Sequence, residues 1–69
     1  MKIKYFAETD TALIEFSDRS VSETKEISKD IYVDMDEAGR LVSMTIEHAK
    51  TSARIKKFSF LEVSETSAT

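Results

Sequence analysis

The fold is decided by residues 31–47, which read IYVDMDEAGRLVSMTIE. Apolar residues recur at every second position on both sides of Gly39, the only glycine in the chain: Ile31, Val33 and Met35 before it, and Val42, Met44 and Ile46 after it. Successive side chains of a strand point to opposite faces, so each run has one apolar face and one polar face. The stretch therefore predicts a β-hairpin that turns at Gly39.

Two registers compete for this hairpin. The first places Val33 opposite Val42, keeps the apolar residues of both strands on one face, and leaves residues 36–39 as a four-residue loop. The second places Asp36 opposite Arg40 across a three-residue loop with a glycine bulge, which is a common arrangement. Because the second register mixes apolar and polar residues on each face, we predict the first. In it, the aspartate bonds the amides of the turn and the glycine supplies a positive φ.

A similar alternation predicts strands over residues 1–6 and 11–16. Placing Tyr5 opposite Ala12 aligns the apolar residues of the two segments, Ile3 with Ile14 among them, and leaves residues 7–10 as a four-residue loop. The first part of the chain is therefore predicted to form a second hairpin.

Residues 21–27 alternate only weakly and carry Glu23, Lys25 and Glu26. Charged residues of this kind blunt the exposed edge of a sheet, so an edge strand is one interpretation. A helix is the alternative, because this segment has no strong β propensity. We favour the strand, since a sheet built from hairpins needs a neighbour at this point of the chain.

The apolar period changes after Glu47. Alanine and basic residues predict a short helix over Thr51–Lys57, whose start Thr51 or Ser52 caps. Residues 58–63, FSFLEV, are apolar enough to dock on the sheet as a final strand or an irregular lid. We expect one domain over residues 1–63, followed by a frayed tail, 64–69. The predicted class is α+β, mainly β: an antiparallel meander sheet of four to five strands, with this short C-terminal helix and apolar C-terminal segment.

Length and composition limit how the chain can be stabilised. A chain of 69 residues buries only about 60% of the surface that its unfolded form exposes, and it contains no cysteine for disulfides or thiolate metal sites. Self-association is the remaining route, so we expect a homodimer. The balance of 13 acidic against 10 basic residues is that of an ordinary soluble surface. Without a signal-peptide pattern or a membrane-spanning run, we expect a cytoplasmic protein.

Two candidate sites of chemistry are weak. The acidic run Asp34–Gly39 resembles the start of a calcium loop, but Ala38 and Thr45 occupy two of the positions where that loop needs oxygen ligands. His48 is the only histidine, and no nucleophile motif accompanies it. We therefore predict no metal, no cofactor and no catalytic residue.

The charge of the chain is divided unevenly along its length. Residues 1–47 carry a net charge of −5, whereas residues 48–69 carry +2. Four basic residues give the second part its positive charge and are our candidates for partner binding: Lys50, Arg54, Lys56 and Lys57. On the predicted helix, three of them form one stripe. Such a stripe can bind phosphates or an acidic protein surface, although a solvated helix face is the commoner outcome.

Several motifs resemble those of a small bacterial family that is known only as a domain of unknown function, number twenty-two eighty-three. They are MKIKY at residues 1–5, TDTALIEF at 9–16, ETKE at 23–26, DMDEAGRLV at 34–42, IEHA at 46–49 and FSF at 58–60. Phe6 and Ala7 depart from the family pattern, in which aspartate and proline are common. The resemblance implies no catalytic residues. Some members of the family lie beside toxin-like genes, which implies an antitoxin or partner-binding role.

These observations lead to two functional hypotheses. The first is a small, non-catalytic protein-interaction module that associates with itself or neutralises a partner in an antitoxin-like way. The alternative is binding of nucleic acid or a phosphate ligand through the basic C-terminal segment, which would weaken steeply as salt is added. Because no glycine-rich loop or stacking aromatics accompany the basic residues, we expect a protein partner rather than nucleic acid or a membrane.

Overall fold

A computed structural model describes residues 1–55, 57 and 59–64. Five strands form one antiparallel sheet: β1 (Lys2–Phe6), β2 (Thr11–Glu15), β3 (Glu23–Ser28), β4 (Ile31–Met35) and β5 (Leu41–Glu47). The predicted antiparallel, mainly β fold is therefore confirmed. In the part of the chain that the structure describes, there is no helix, and hence none long enough to cross a membrane.

The strand order is β1-β2-β5-β4-β3. The predicted meander applies within β1–β2 and within β3–β4–β5, and the two parts join where β2 pairs with β5. The connection between β2 and β3 runs along one end of the sheet: the amide of Phe16 donates to Val42 O over 2.8 Å, and the amide of Ser22 donates to Met35 O over 2.8 Å. The longest strand, β5, is thus central, and β3 lies at the edge.

The first hairpin has the predicted register. Tyr5 lies opposite Ala12, and Ile3 lies opposite Ile14. Its four-residue loop ends at Asp10, whose φ of 55° lies in the left-handed region that aspartate tolerates better than most residues.

The central hairpin differs from its predicted register. The amide of Asp36 donates to Arg40 O over 2.9 Å and Gly39 has a φ of 81°, so the loop has three residues, not four. The rejected register is therefore the one adopted at the turn. A β-bulge between Leu41 and Ser43 then shifts the pairing by one residue, so that Val33 lies opposite Met44. The extra residue restores the side-chain alternation. The hairpin therefore has the common three-residue loop and still keeps its apolar and polar residues on separate faces.

The third segment is a strand, as favoured over a helix. All six residues of β3 are exposed, and the pairing with β4 shifts between Glu26 and Ser28, which leaves Ile27 as a bulge. A charged and bulged edge strand is poorly suited to pairing with another chain.

The helix predicted for Thr51–Lys57 is wrong for the residues that the structure describes. Residues 48–53 form turns and a bend, and both His48 and Arg54 have positive φ values, of 54° and 58°. A right-handed helix requires negative φ, so the segment folds back instead of continuing as a helix. Lys56 and Phe58 lie outside the described residues.

The apolar segment predicted to dock on the sheet does not do so in the described residues. Phe60, Leu61 and Val63 are 77%, 83% and 74% exposed. The predicted tail, 64–69, is described only at Ser64. Residues 59–64 therefore form no second layer on the sheet.

Candidate interaction surface

One side of the sheet is an apolar face. Nine of the apolar residues that the strand registers place on it are Ile3, Tyr5, Ala12, Ile14, Ile31, Val33, Met35, Met44 and Ile46. Four of them form a continuous row across β1, β2, β5 and β4, which we call the central row: Ile3, Ile14, Met44 and Val33. These residues are adjacent because directly opposed residues of antiparallel strands share a face.

Most of the apolar face is open to solvent. Only Ala12 and Ile46 are buried, Ile3 is exposed, and the other six residues are half-buried. Among the described residues, no large side chain is fully buried. The sheet therefore has an apolar face without a complete core beneath it.

One end of the apolar face is covered by the segment His48–Ile55, which we call the C-terminal turn. Ala49 is buried and Ile55 half-buried, and both pack against Ala12 and Ile46. The turn is closed by its own backbone, in which the amide of Ile55 donates to Ala49 O over 2.9 Å. The turn covers this end, whereas Ile14 and Met44 of the central row pack against the edge of the same cluster and stay only half-buried.

Asp10 holds the C-terminal turn in place. Its Oδ1 accepts hydrogen bonds from the Tyr5 hydroxyl (2.7 Å) and the Lys50 amide (2.9 Å), and its Oδ2 accepts from the Thr51 hydroxyl (2.7 Å) and amide (3.2 Å). These hydrogen bonds lower the pKa of Asp10 far below its usual range. The bond from the Lys50 amide has the largest effect, followed by those from the hydroxyls of Thr51 and Tyr5. The hydrogen bond to Asp10 raises the pKa of Tyr5 in turn.

A second aspartate, Asp36, organises the opposite end of the sheet. Its Oδ1 accepts from the amides of Ala38 (2.9 Å) and Arg40 (2.8 Å), while its Oδ2 accepts from Nε of Arg19 (2.7 Å) and Nε of Arg40 (2.9 Å). Arg19 also donates from Nη2 to Leu41 O over 2.9 Å. These contacts tie the β2–β3 connection to the central hairpin. They lower the pKa of Asp36, with the Arg40 amide as the largest cause.

The other side of the sheet is a polar face with an excess of acid. The registers place Glu15, Glu26, Asp34 and Glu47 on it, against Lys2 and Lys4. Asp34 accepts hydrogen bonds from the hydroxyls of Thr24 and Ser43, at 2.5 Å and 2.6 Å. The charge of Glu47, with burial and the charges of Glu26 and Asp30, raises the pKa of Tyr32. This face is solvated and negatively charged.

The basic residues proposed from the sequence do not form a helical stripe. Nζ of Lys50 lies 4.7 Å from the centre of the Tyr5 ring, a cation–π distance. Arg54 and Lys57 are exposed, and Lys56 lies outside the described residues. The spacing that aligned three of them applied to a helix. Their role in partner binding stays a prediction.

The side chain of His48 makes one polar contact in the described structure, with Nδ1 3.0 Å from Oδ1 of Asp30. The pair is exposed and fastens the start of the C-terminal turn to the β3–β4 turn. Within residues 1–55 and the described part of the tail, no group of histidine, aspartate and glutamate side chains has a geometry that could hold a metal ion.

Sequence reasoning missed two of the organising residues, Asp10 and Arg19. Asp10 was expected only as the last residue of a loop, and Arg19 lies between two predicted strands, 11–16 and 21–27. The donors to Asp10 lie 40 and 41 residues further along the chain, and Arg19 lies 17 residues from Asp36. No local pattern signals contacts at that separation.

In the residues that the structure describes, fold and surface together define a small β protein of one sheet, whose apolar face is mostly half-buried rather than covered. A family model described as "Protein of unknown function (DUF2283)" matches residues 2–50, and the chain belongs to this family. The resemblance found in the motifs is thereby confirmed. The match contains all five strands, whereas Arg54, Lys56 and Lys57 lie beyond it. Neither a curated protein nor a solved structure matches the chain.

Proposed function

We propose that this protein is a non-catalytic protein-interaction module that binds its partner through the apolar face of the sheet. The observation that carries the proposal is the uncovered central row, in which Ile3 is exposed and Ile14, Met44 and Val33 are half-buried. Stable domains bury such a face against a second layer of structure, and the described part of this chain has none. A partner supplies the missing layer.

The size of the open face agrees with this role. Soluble monomers rarely expose contiguous apolar patches beyond a few hundred Å², and larger ones commonly mark interaction sites. The central row spans four neighbouring strands, each about 4.8 Å from the next, so it is a continuous surface rather than scattered residues.

The displaced pKa values support a non-catalytic role. Strongly shifted groups often mark active sites, but structural networks shift pKa values as well. Both carboxylate oxygens of Asp10 and of Asp36 accept hydrogen bonds that fasten a turn to the sheet. These structural hydrogen bonds account for the lowered pKa values of both aspartates.

The nature of the partner is a separate question. If the partner is a toxin, the role is antitoxin-like, as the family resemblance implies. We place the module in the cytoplasm, where a chain without cysteine is at no disadvantage because disulfides are rare there.

Adjacent residues of β5 provide a matched test. Met44 lies in the central row, whereas Thr45 points to the polar face, and both are half-buried. Affinity capture from the native host with tagged wild-type protein should retain a partner that Met44→Lys loses and Thr45→Lys keeps. Circular dichroism of each variant checks that the sheet is intact. Equal capture by both variants would contradict binding through the apolar face.

A further inference from the structure

We propose that the layer covering the apolar face is a second copy of this chain, so that two sheets pack face to face as a β-sandwich. The inference rests on the proposed function, because it names the occupant of the same surface. Sheets in such sandwiches lie about 10 Å apart, with strands about 30° from alignment. The central row of each copy would supply half of the shared core.

The chain exposes more surface than a compact protein of its mass. The chain exposes 5535 Å², whereas a compact monomer of 7.8 kDa exposes about 4,400 Å². Residues 59–64, which are all exposed, supply part of this excess of about 1,100 Å², and the half-buried apolar face supplies another part. A standard protein–protein interface removes about 800 Å² from each partner. Pairing of two copies would hide the part of the excess that belongs to the apolar face of the sheet.

Charge favours the apolar face over the polar face as the dimer surface. The only charged residues that the registers place on the apolar face are Glu23 and Lys25, at its β3 edge, and they have opposite signs. Two copies can therefore meet there without like-charge repulsion. The polar face carries four acids against two lysines, so two copies of it would repel each other.

Shape selects the direction of the symmetry axis. The C-terminal turn covers only the end of the apolar face near Ala12 and Ile46. In a face-to-face pair, the two-fold axis lies in the plane between the two sheets. If the axis is perpendicular to the strands, the C-terminal turn of each copy lies beyond the open end of the other sheet. If the axis is parallel to the strands, the two turns lie at the same end and collide. Glu23 and Lys25 are two positions apart on β3, so an axis passing between them brings Glu23 of each copy to Lys25 of the other.

Sedimentation equilibrium tests the dimer directly. The wild type should have twice the 7.8 kDa mass of one chain, and Met44→Lys should dissociate more readily, by roughly 100-fold in dissociation constant, because the interface would bury an unpaired charge. Thr45→Lys is the control and should stay dimeric. A wild type that remains at the mass of one chain at every concentration would overturn the inference. Capture from the host that still depends on Met44 would then leave the proposed function intact.

Cross-linking tests the same dimer without the Met44→Lys variant, in case that variant does not fold. Because the natural chain has no cysteine, a single introduced cysteine reports only on its own symmetry mate. Met44→Cys, a milder change, should be linked into a dimer by a short bis-maleimide, because the two copies of this position face the shared core across sheets about 10 Å apart, whereas Thr45→Cys on the polar face should not. Equal cross-linking at both positions would indicate random collision and contradict the proposed packing.

Discussion

Asp10 and Asp36 occupy comparable positions, one at the turn of each hairpin, yet they stabilise the molecule in different ways. Each carboxylate accepts four hydrogen bonds. Three of the four donors to Asp36 lie within four residues of it, and two of its donors are guanidinium groups. Asp10 accepts three bonds from residues 40 and 41 positions away, all of them uncharged donors.

This difference separates local from tertiary stabilisation. Asp36 shapes its own turn and could do so in an isolated hairpin, with Arg19 as its one distant donor. Asp10 contributes little to its own loop and instead places the C-terminal turn over Ala12 and Ile46. Removing the first aspartate should therefore expose part of the core, whereas changes at the second turn should act mainly on the hairpin.

The largest effect is expected for Asp10→Ala. The change removes the acceptor of all four hydrogen bonds and places alanine at a φ of 55°, which alanine disfavours. Urea unfolding should show a greater loss of stability than any other single change discussed below, and amides of the C-terminal turn should lose protection from hydrogen exchange. Asp10→Asn tolerates this φ and keeps one acceptor oxygen, so its loss should be smaller. Unchanged exchange protection would show that the turn does not depend on Asp10.

Gly39→Val should rank next. An added Cβ would meet nothing within 4 Å, so the cost arises only from the φ of 81°, where a β-branched residue is strained. We expect a loss of about 1–3 kcal/mol in the free energy of unfolding in urea. Gly39→Asn is the control, because asparagine adopts left-handed backbone more readily, and it should cost less. If both variants unfolded like the wild type, the turn would not require this conformation.

Acid should reveal both aspartates. Their pKa values in the folded protein lie below the ordinary value, so the deprotonated carboxylates stabilise the fold above the unfolded-state pKa, and this contribution is lost as pH falls. The thermal unfolding midpoint should therefore drop between about pH 5 and pH 2. Asp10→Asn should flatten this dependence more than Asp36→Asn, because the Asp10 pKa is lowered further. An equally steep profile in both variants would assign the acid sensitivity to other groups.

Arg19→Lys should have the smallest effect. Lysine keeps the positive charge, but it lacks the planar guanidinium group with which Arg19 donates to Asp36 and to Leu41 O at the same time. The site is partly exposed, so we expect a loss of only about 0.5 kcal/mol in urea unfolding. Arg54→Lys is the control and should have no measurable effect. A loss as large as that of Gly39→Val would show that the β2–β3 connection contributes more than its two contacts suggest.

Local patterns predicted the strands because alternation acts over a few residues. Both hairpins, the edge strand and the conformation of Gly39 follow from spacing that is visible in the sequence. The register of the central hairpin could not be predicted in this way. It depends on a bulge at Val42, and that bulge is favourable only because the pairing of β4 with the rest of β5 regains the separation of apolar and polar faces. The helix expected over Thr51–Lys57 had favourable propensities, but contacts with Asp10 and the core compete with a short helix, which is marginal by itself.

The sequence by itself determined an antiparallel β protein with one apolar face and one polar face, because side-chain alternation requires no information beyond neighbouring residues. Only the tertiary structure decided that β5 pairs with β2, that Asp10 binds the C-terminal turn, and that most of the apolar face is left uncovered. Those features depend on contacts between segments that are separated by 30 or 40 residues. The entropic cost of closing a loop grows only slowly with its length, so that cost does not decide which distant segments pair. The candidate interaction surface belongs to this second group.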